Sequence, residues 1–212
     1  MYVSVEHRFV YMAPKKTGST SMRTLLSEHY GATFFRDYPF KDFKDGPISP
    51  DWRSEGPDWK HVCHLPEQFS DYFIFATIRN PYTLEISRYH HDLRHQYIQE
   101  GFPRFVRRLV GAEKPPTLKR KLHQVADYVP PPGCVRFRLN AVVKLESMDE
   151  DFSRLPFYRP GLKLGHLHQS LAKPPVYTSG LAAIVREAYC EDFEYFGYDP
   201  SSWATYKNIP LI

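Results

Sequence analysis

The apolar positions of the chain change period in a readable order. Residues 8–13 (RFVYMA) and 72–78 (YFIFATI) are nearly continuous apolar runs of strand length. Runs without polar alternation predict strands whose two faces are both covered. After the first run the pattern turns helical, with Met22, Leu25 and Leu26 on one face and Ser19 or Thr20 placed to cap the start. After the second run, Asn80 is suited to cap a helix and Pro81 to its first position. That helix is expected to continue to about Gly101. Residues 102–110 and 117–129 read as further helices, and strand signals lie in CVRFRL and AVVKLE within 134–146.

A short helix is expected near 148–155, a loop over 156–177, and one last helix in which Leu181, Ile184, Val185 and Ala188 share a face. Residues 31–60 carry Pro39, Pro47, Pro50 and Pro57 and show no period. A long irregular loop inside a compact domain is often functional. Strands alternating with helices predict an α/β fold with a parallel sheet and helices on both faces, in one domain over residues 1–212.

Composition narrows the function classes. Apolar residues make up 42% and charged residues 25%, a globular rather than a disordered balance. The net charge of +4 suits an anionic ligand but is too mild to indicate a nucleic-acid partner. No apolar run approaches the ~20 residues of a membrane span, and the first ten residues show no secretory apolar core. A cytoplasmic protein is expected, although an excised lumenal catalytic domain would read the same way. Cys63, Cys134 and Cys190 lack metal spacing and read as reduced, partly buried thiols.

The chemistry sits where period changes to period. Between the first strand and its helix stand Lys15, Lys16, Thr17, Gly18, Ser19, Thr20 and Ser21. The ATP-binding loop G-x-x-x-x-G-K-[ST] is not matched, because here the lysines precede the glycine and upstream glycines are missing. Backbone N–H groups at a helix start, hydroxyls and a lysine still make a cradle for an anion. The strand 72–78 ends in Arg79 and Asn80, not in a magnesium-binding aspartate, and no metal site is evident. In RNPYTLEISRY, Ser87 lies about two helical turns after Asn80, so Arg79 and Ser87 can converge on one phosphate.

Together PKKTGSTS and RNPYTLEISRY resemble the two cofactor segments of sulfotransferases that use 3′-phosphoadenosine 5′-phosphosulfate (PAPS). HQVADYV, VVKLESMDEDFSRL, GHLHQS and YCEDFEYFGYD resemble, in order, segments of the branch that includes carbohydrate sulfotransferases and bacterial relatives. The likeness covers most of 9–199 and is weakest in 31–60. It implies a P-loop NTPase-like fold. It also implies a 5′-phosphosulfate site at Lys15–Ser21, a 3′-phosphate site at Arg79 and Ser87, and His168 on a loop near nucleotide and acceptor. The family usually has proline where Lys15 stands, and counting back from Gly18 aligns the family lysine with Lys16. Lys15 is then an extra charge that either helps hold the sulfonate or faces solvent.

The reaction so implied is in-line attack of an acceptor hydroxyl or amine on sulfur, with no covalent enzyme intermediate and no metal. A base ahead of the arginine strand is implied too. His64 is the first candidate, Glu67 the runner-up, and His61 a residue for holding the acceptor. The acceptor is a small molecule or a glycan. Arg104, Arg107, Arg108, Lys114, Lys119, Arg120 and Lys121 either grip an acidic acceptor or form a solvated helix face. Glu146 either orients other groups or is a surface carboxylate. Two other readings are a magnesium-dependent nucleotide kinase and a non-catalytic anion- or glycan-binding module on the same fold.

Overall fold

The computed structural model describes residues 1–34, 69–111, 124, 139–162, 164 and 175–207. Among them five strands form one sheet: β1 (Tyr2–Ser4), β2 (Phe9–Met12), β3 (Thr33–Phe34), β4 (Phe73–Ile78) and β5 (Ala141–Lys144), in the order β3-β1-β2-β4-β5. β2, β4 and β5 run parallel, with Phe9 opposite Phe73 and Phe75 opposite Ala141. β1 is antiparallel to β2, and β3 to β1.

The architecture is α/β, as expected, but the sheet is mixed rather than wholly parallel. The reason is local. Only residues 5–8 separate β1 from β2, whereas a parallel crossover needs about a dozen residues or more. Arg8 takes φ = 50° and donates its N–H to the Val5 carbonyl at 3.3 Å, closing a hairpin.

Strand alternation sorts the core to the two faces. Phe9, Tyr11 and Phe75 pack with Met22, Leu25, Leu26 and Tyr30 of α1 (Ser19–Tyr30). Met148 and Phe152 of a later helix join that face. Val10, Met12, Ile74, Ala76 and Ile78 project to the other face. There they meet α2 (Pro81–Arg94), α3 (Phe102–Arg107) and the C-terminal helices. Both faces of β2 and β4 are therefore covered, which explains their unbroken apolar runs. The remaining helices are α4 (Met148–Ser153), α5 (Ser179–Ala188) and α6 (Cys190–Phe196).

Three helix boundaries differ from the sequence reading. α2 stops at Arg94, not near Gly101. Gln96 takes φ = 57°, its N–H bonds the Leu93 carbonyl, and the Tyr97 N–H bonds the Asp92 carbonyl. This is a Schellman stop with glutamine in the left-handed position, where glycine is the usual sign. The expected last helix is two helices that meet at Tyr189, which leaves helical geometry at φ = −123° and ψ = 25°. The third is the start of α1, described below. Cys190 is exposed, not partly buried. Among the described residues no helix is long and apolar enough to cross a membrane.

Candidate functional site

The loops that follow β2 and β4 leave the same carboxyl edge of neighbouring parallel strands. In open α/β sheets that edge is where ligands bind. Loop residues 13–18 lead from β2 into α1. The residue capping α1 is Gly18, at φ = 76° and ψ = 12°, with no side-chain cap. Ser19 and Thr20 are not the caps but the first helical residues. The left-handed φ strongly favours glycine, and a Cβ there would lie 2.6 Å from Leu145 Cδ1 and Met148 Cε. By helix geometry the first-turn N–H groups lack intrahelical acceptors, so this end presents donors. Ser19, Thr20 and Ser21 are all half-buried on that turn. Thr20 Oγ1 accepts from Arg23 Nη2 at 3.2 Å.

Thr17 plays a different part from the hydroxyls after it. It is buried, and its Oγ1 bonds the Pro14 carbonyl at 3.1 Å and Thr77 Oγ1 at 2.8 Å. Thr77 Oγ1 also bonds the Tyr11 hydroxyl at 2.8 Å. The loop is thus stitched to β2 and β4 by a row of hydroxyls, and burial pushes the Tyr11 phenol well up.

The two lysines separate cleanly. Lys15 is exposed and Lys16 half-buried. Lys16 has φ = 71°, and its carbonyl accepts a hydrogen bond from Arg79 Nη1 at 3.1 Å. Partial burial holds the Lys16 ammonium below its ordinary value, and the charges of Arg79 and Arg94 lower it further against a smaller opposing pull from Asp92.

Arg79 is 6% exposed and fixed through both main chain and side chain. Its N–H donates to Gln124 Oε1 at 2.9 Å, and Gln124 Nε2 donates to its carbonyl at 2.7 Å. Gln124 is braced in turn by Asp192 Oδ2, which accepts from its N–H and its Nε2. Arg79 Nε donates to Thr83 Oγ1 at 2.9 Å. Glu146, just beyond β5, accepts at Oε1 from the Asn80 N–H (2.9 Å) and the Thr83 hydroxyl (3.0 Å), and at Oε2 from Tyr198 (3.1 Å). Of the two sequence readings of Glu146, it is the orienting one that these bonds match, although the residue is exposed. Asn80 caps α2 as expected, its side chain accepting from the Tyr82 N–H at 3.0 Å.

Along α2, Thr83, Ser87, His90, His91 and Arg94 follow helical spacing on one face. Ser87 is half-buried there. Burial holds both imidazoles below the usual value. Arg94 and Lys16 depress His90 further. For His91, a hydrogen bond to Asp92 opposes burial, while Lys16 again lowers it. His90 Nε2 is buried and, among the described residues, has no hydrogen-bond partner. The neighbourhood of Lys16 is therefore rich in cations, and its histidines are neutral near pH 7.

The structure brings Lys16 and Arg79 together and leaves other candidates untouched. His61, His64, Glu67, His168, Lys114, Lys119, Arg120 and Lys121 lie outside the described residues. In the basic stretch, Arg104 and Arg108 pair with Glu100 at 3.2 and 2.8 Å. Thr83, Gln124, Asp192 and Tyr198 were not singled out from sequence. For Thr83 a signal existed, since it stands one helical turn after Arg79. Among the described residues no group of three His, Cys, Asp or Glu is arranged to hold a metal ion. Compared with known proteins, the chain matches no family model, no curated protein and no solved structure.

Proposed function

We propose that this chain is a PAPS-dependent sulfotransferase, built as one domain on a P-loop-like variant of the α/β fold. The observation that carries the reading is the hydrogen bond from Arg79 Nη1 to the Lys16 carbonyl. It ties the segment that resembles a 5′-phosphosulfate loop to the one that resembles a 3′-phosphate site. The two stand at the carboxyl edge of adjacent parallel strands, within one cationic neighbourhood.

In this reading the first turn of α1 and the Lys16 ammonium hold the 5′-phosphosulfate, with Ser19, Thr20 and Ser21 as further donors. Arg79 and Ser87 take the 3′-phosphate, and His168 lies near nucleotide and acceptor. The acceptor oxygen or nitrogen attacks sulfur in line. The bond from sulfur to the bridging oxygen breaks, and 3′,5′-adenosine bisphosphate leaves with that electron pair. Negative charge builds on the bridging oxygen, where a fixed ammonium and helix-terminal N–H groups are most effective. The acceptor proton passes to His64, with Glu67 as the alternative base and His61 holding the acceptor. The leaving group is already a good one, so the step asks for no metal. Lys15, exposed, takes no part in the transfer. The acceptor is a small molecule or a glycan hydroxyl, or an amine.

Thermal unfolding and an acceptor screen test this directly. Adenosine 3′,5′-bisphosphate without magnesium should raise the melting temperature, and PAPS should add one sulfonate to an acceptor, read by mass spectrometry. Stabilisation by ATP with magnesium and none by the bisphosphate would replace the reading with a nucleotide kinase. Bisphosphate binding without transfer to any acceptor class would leave an anion-binding module.

A further inference from the structure

We propose that Glu146 is a positioning residue for Arg79, acting through the Thr83 hydroxyl to aim the guanidinium at its anion. The proposal rests on the functional reading above for the identity of that anion.

Proton direction dictates the relay. A guanidinium only donates, so Thr83 Oγ1 must accept from Arg79 Nε at 2.9 Å. The single Thr83 proton is then left to choose between the Glu146 carboxylate at 3.0 Å and the Asn80 carbonyl at 3.1 Å. The carboxylate is the stronger acceptor because it is charged. It is itself held by donors from two further elements, the Asn80 N–H at the start of α2 and the Tyr198 hydroxyl beyond α6. An ionised Glu146 satisfies every one of these contacts, since each partner donates.

Thr83 reaches only the Arg79 side chain, whereas Glu146 also holds the neighbouring Asn80 N–H. The Arg79 main chain is secured independently by Gln124, whose amide has one workable orientation. Its oxygen faces the Arg79 N–H, and its nitrogen faces the Arg79 carbonyl and the Asp192 carboxylate. The guanidinium is pinned at Nε by Thr83 and at Nη1 by the Lys16 carbonyl. Thr83→Val removes the first pin outright, while Glu146→Ala leaves the Thr83 proton to the neutral Asn80 carbonyl, a weaker acceptor, and loosens the pin; Gln124 still holds the Arg79 main chain in both. The guanidinium then regains rotational freedom that anion binding must remove again.

The test uses Glu146→Ala, Glu146→Gln, Thr83→Val and Thr83→Ser in the full chain, each first checked by thermal unfolding. Calorimetric titration with adenosine 3′,5′-bisphosphate and with adenosine 5′-monophosphate separates the 3′-phosphate from the rest of the nucleotide. Glu146→Ala and Thr83→Val should weaken the bisphosphate about threefold to tenfold, the range for one hydrogen bond, and leave the monophosphate unchanged. Thr83→Ser and Glu146→Gln, which keep an acceptor, should restore most of the loss. Equal losses for both nucleotides, or no loss for either, would overturn the proposal.

A second readout needs no nucleotide. The Arg79 Nε–H resonance, assigned by its disappearance in Arg79→Lys, should exchange faster with solvent in Glu146→Ala and Thr83→Val. If the wild-type chain binds neither nucleotide, the functional reading fails, and this exchange rate alone decides the relay. Faster exchange in both variants upholds it, and unchanged exchange rejects it. Should Thr83→Val fail to fold, Glu146→Ala against Glu146→Gln carries the same comparison.

Discussion

Replacing Lys16 by methionine should stabilise the ligand-free protein while removing most of its turnover. The side chain is half-buried, and its ammonium is held below the ordinary lysine value first by burial and then by Arg79 and Arg94. A folded-state lysine pKa lowered in this way means that the native protein disfavours the charged form. Below the lowered native value the charge is present in both states, and its unfavourable setting in the fold is felt in full. Stability should therefore rise with pH only in the alkaline window between the lowered native value and the unfolded value of about 10.4. Methionine keeps the length of the stem and removes the charge. It also keeps a Cβ at φ = 71°, so the backbone cost of that left-handed position cancels in the comparison.

Because the ammonium is partly in solvent, the gain is about 0.5–1 kcal/mol after screening, or about 1–4 °C in melting temperature for a chain of this size. Turnover should fall about 10²–10³-fold, the effect of losing one preorganised donor to the transition state. Lys15→Met, at an exposed position, should change neither quantity appreciably. Differential scanning calorimetry and a PAPS transfer assay on the same preparations measure both effects. A drop in melting temperature for Lys16→Met would mean that the ammonium has a favourable native partner. A larger turnover loss in Lys15→Met would place the catalytic lysine one residue earlier.

Three further outcomes follow from particular groups. His64→Ala should lower turnover by about 10²-fold or more with bisphosphate binding intact; near-normal turnover there, together with an inactive Glu67→Ala, moves the base to Glu67. Glu85 is fully buried and bonds Arg88 at 2.5 Å, and the mostly covered Arg88 also donates to the Tyr189 hydroxyl, so Glu85→Ala strands the guanidinium and should cost about 3–5 kcal/mol in urea unfolding; a cost under 1 kcal/mol would show that the Tyr189 hydroxyl suffices for Arg88. His90 and His91 are held below the usual imidazole value, so the unfolded chain takes up protons first as pH falls. Their contribution to stability is complete above about pH 6.5 and is lost as pH drops through the native values, and a His90→Gln, His91→Gln double variant should flatten that limb of the stability–pH curve.

Features with local causes were legible along the chain. Two unbroken apolar runs became the central parallel strands because both faces of β2 and β4 are covered. Asn80 and Pro81 began α2 because a cap and a first-turn proline act within a few residues. Lys16, Gly18 and Arg79 drew notice by type and spacing, and the structure sets Lys16 and Arg79 in contact. Some local features still escaped. Glutamine took the left-handed stop of α2 where glycine would have announced it, and the first hairpin lay hidden in a short polar interruption.

Tertiary structure alone decided how Arg79 is held. Its partners Gln124 and Lys16, the Thr83–Glu146 bond, and the Asp192 and Tyr198 braces behind them come from distant parts of the chain. Thr17, which reads as one more hydroxyl for a ligand, turns inward because Thr77 on the neighbouring strand offers it a buried partner. Periodicity and caps are set by interactions within one or two turns, so a single segment carries their signal. A buried polar contact between distant segments depends on which strands become neighbours and in what register, and no stretch of sequence encodes that without the rest of the fold.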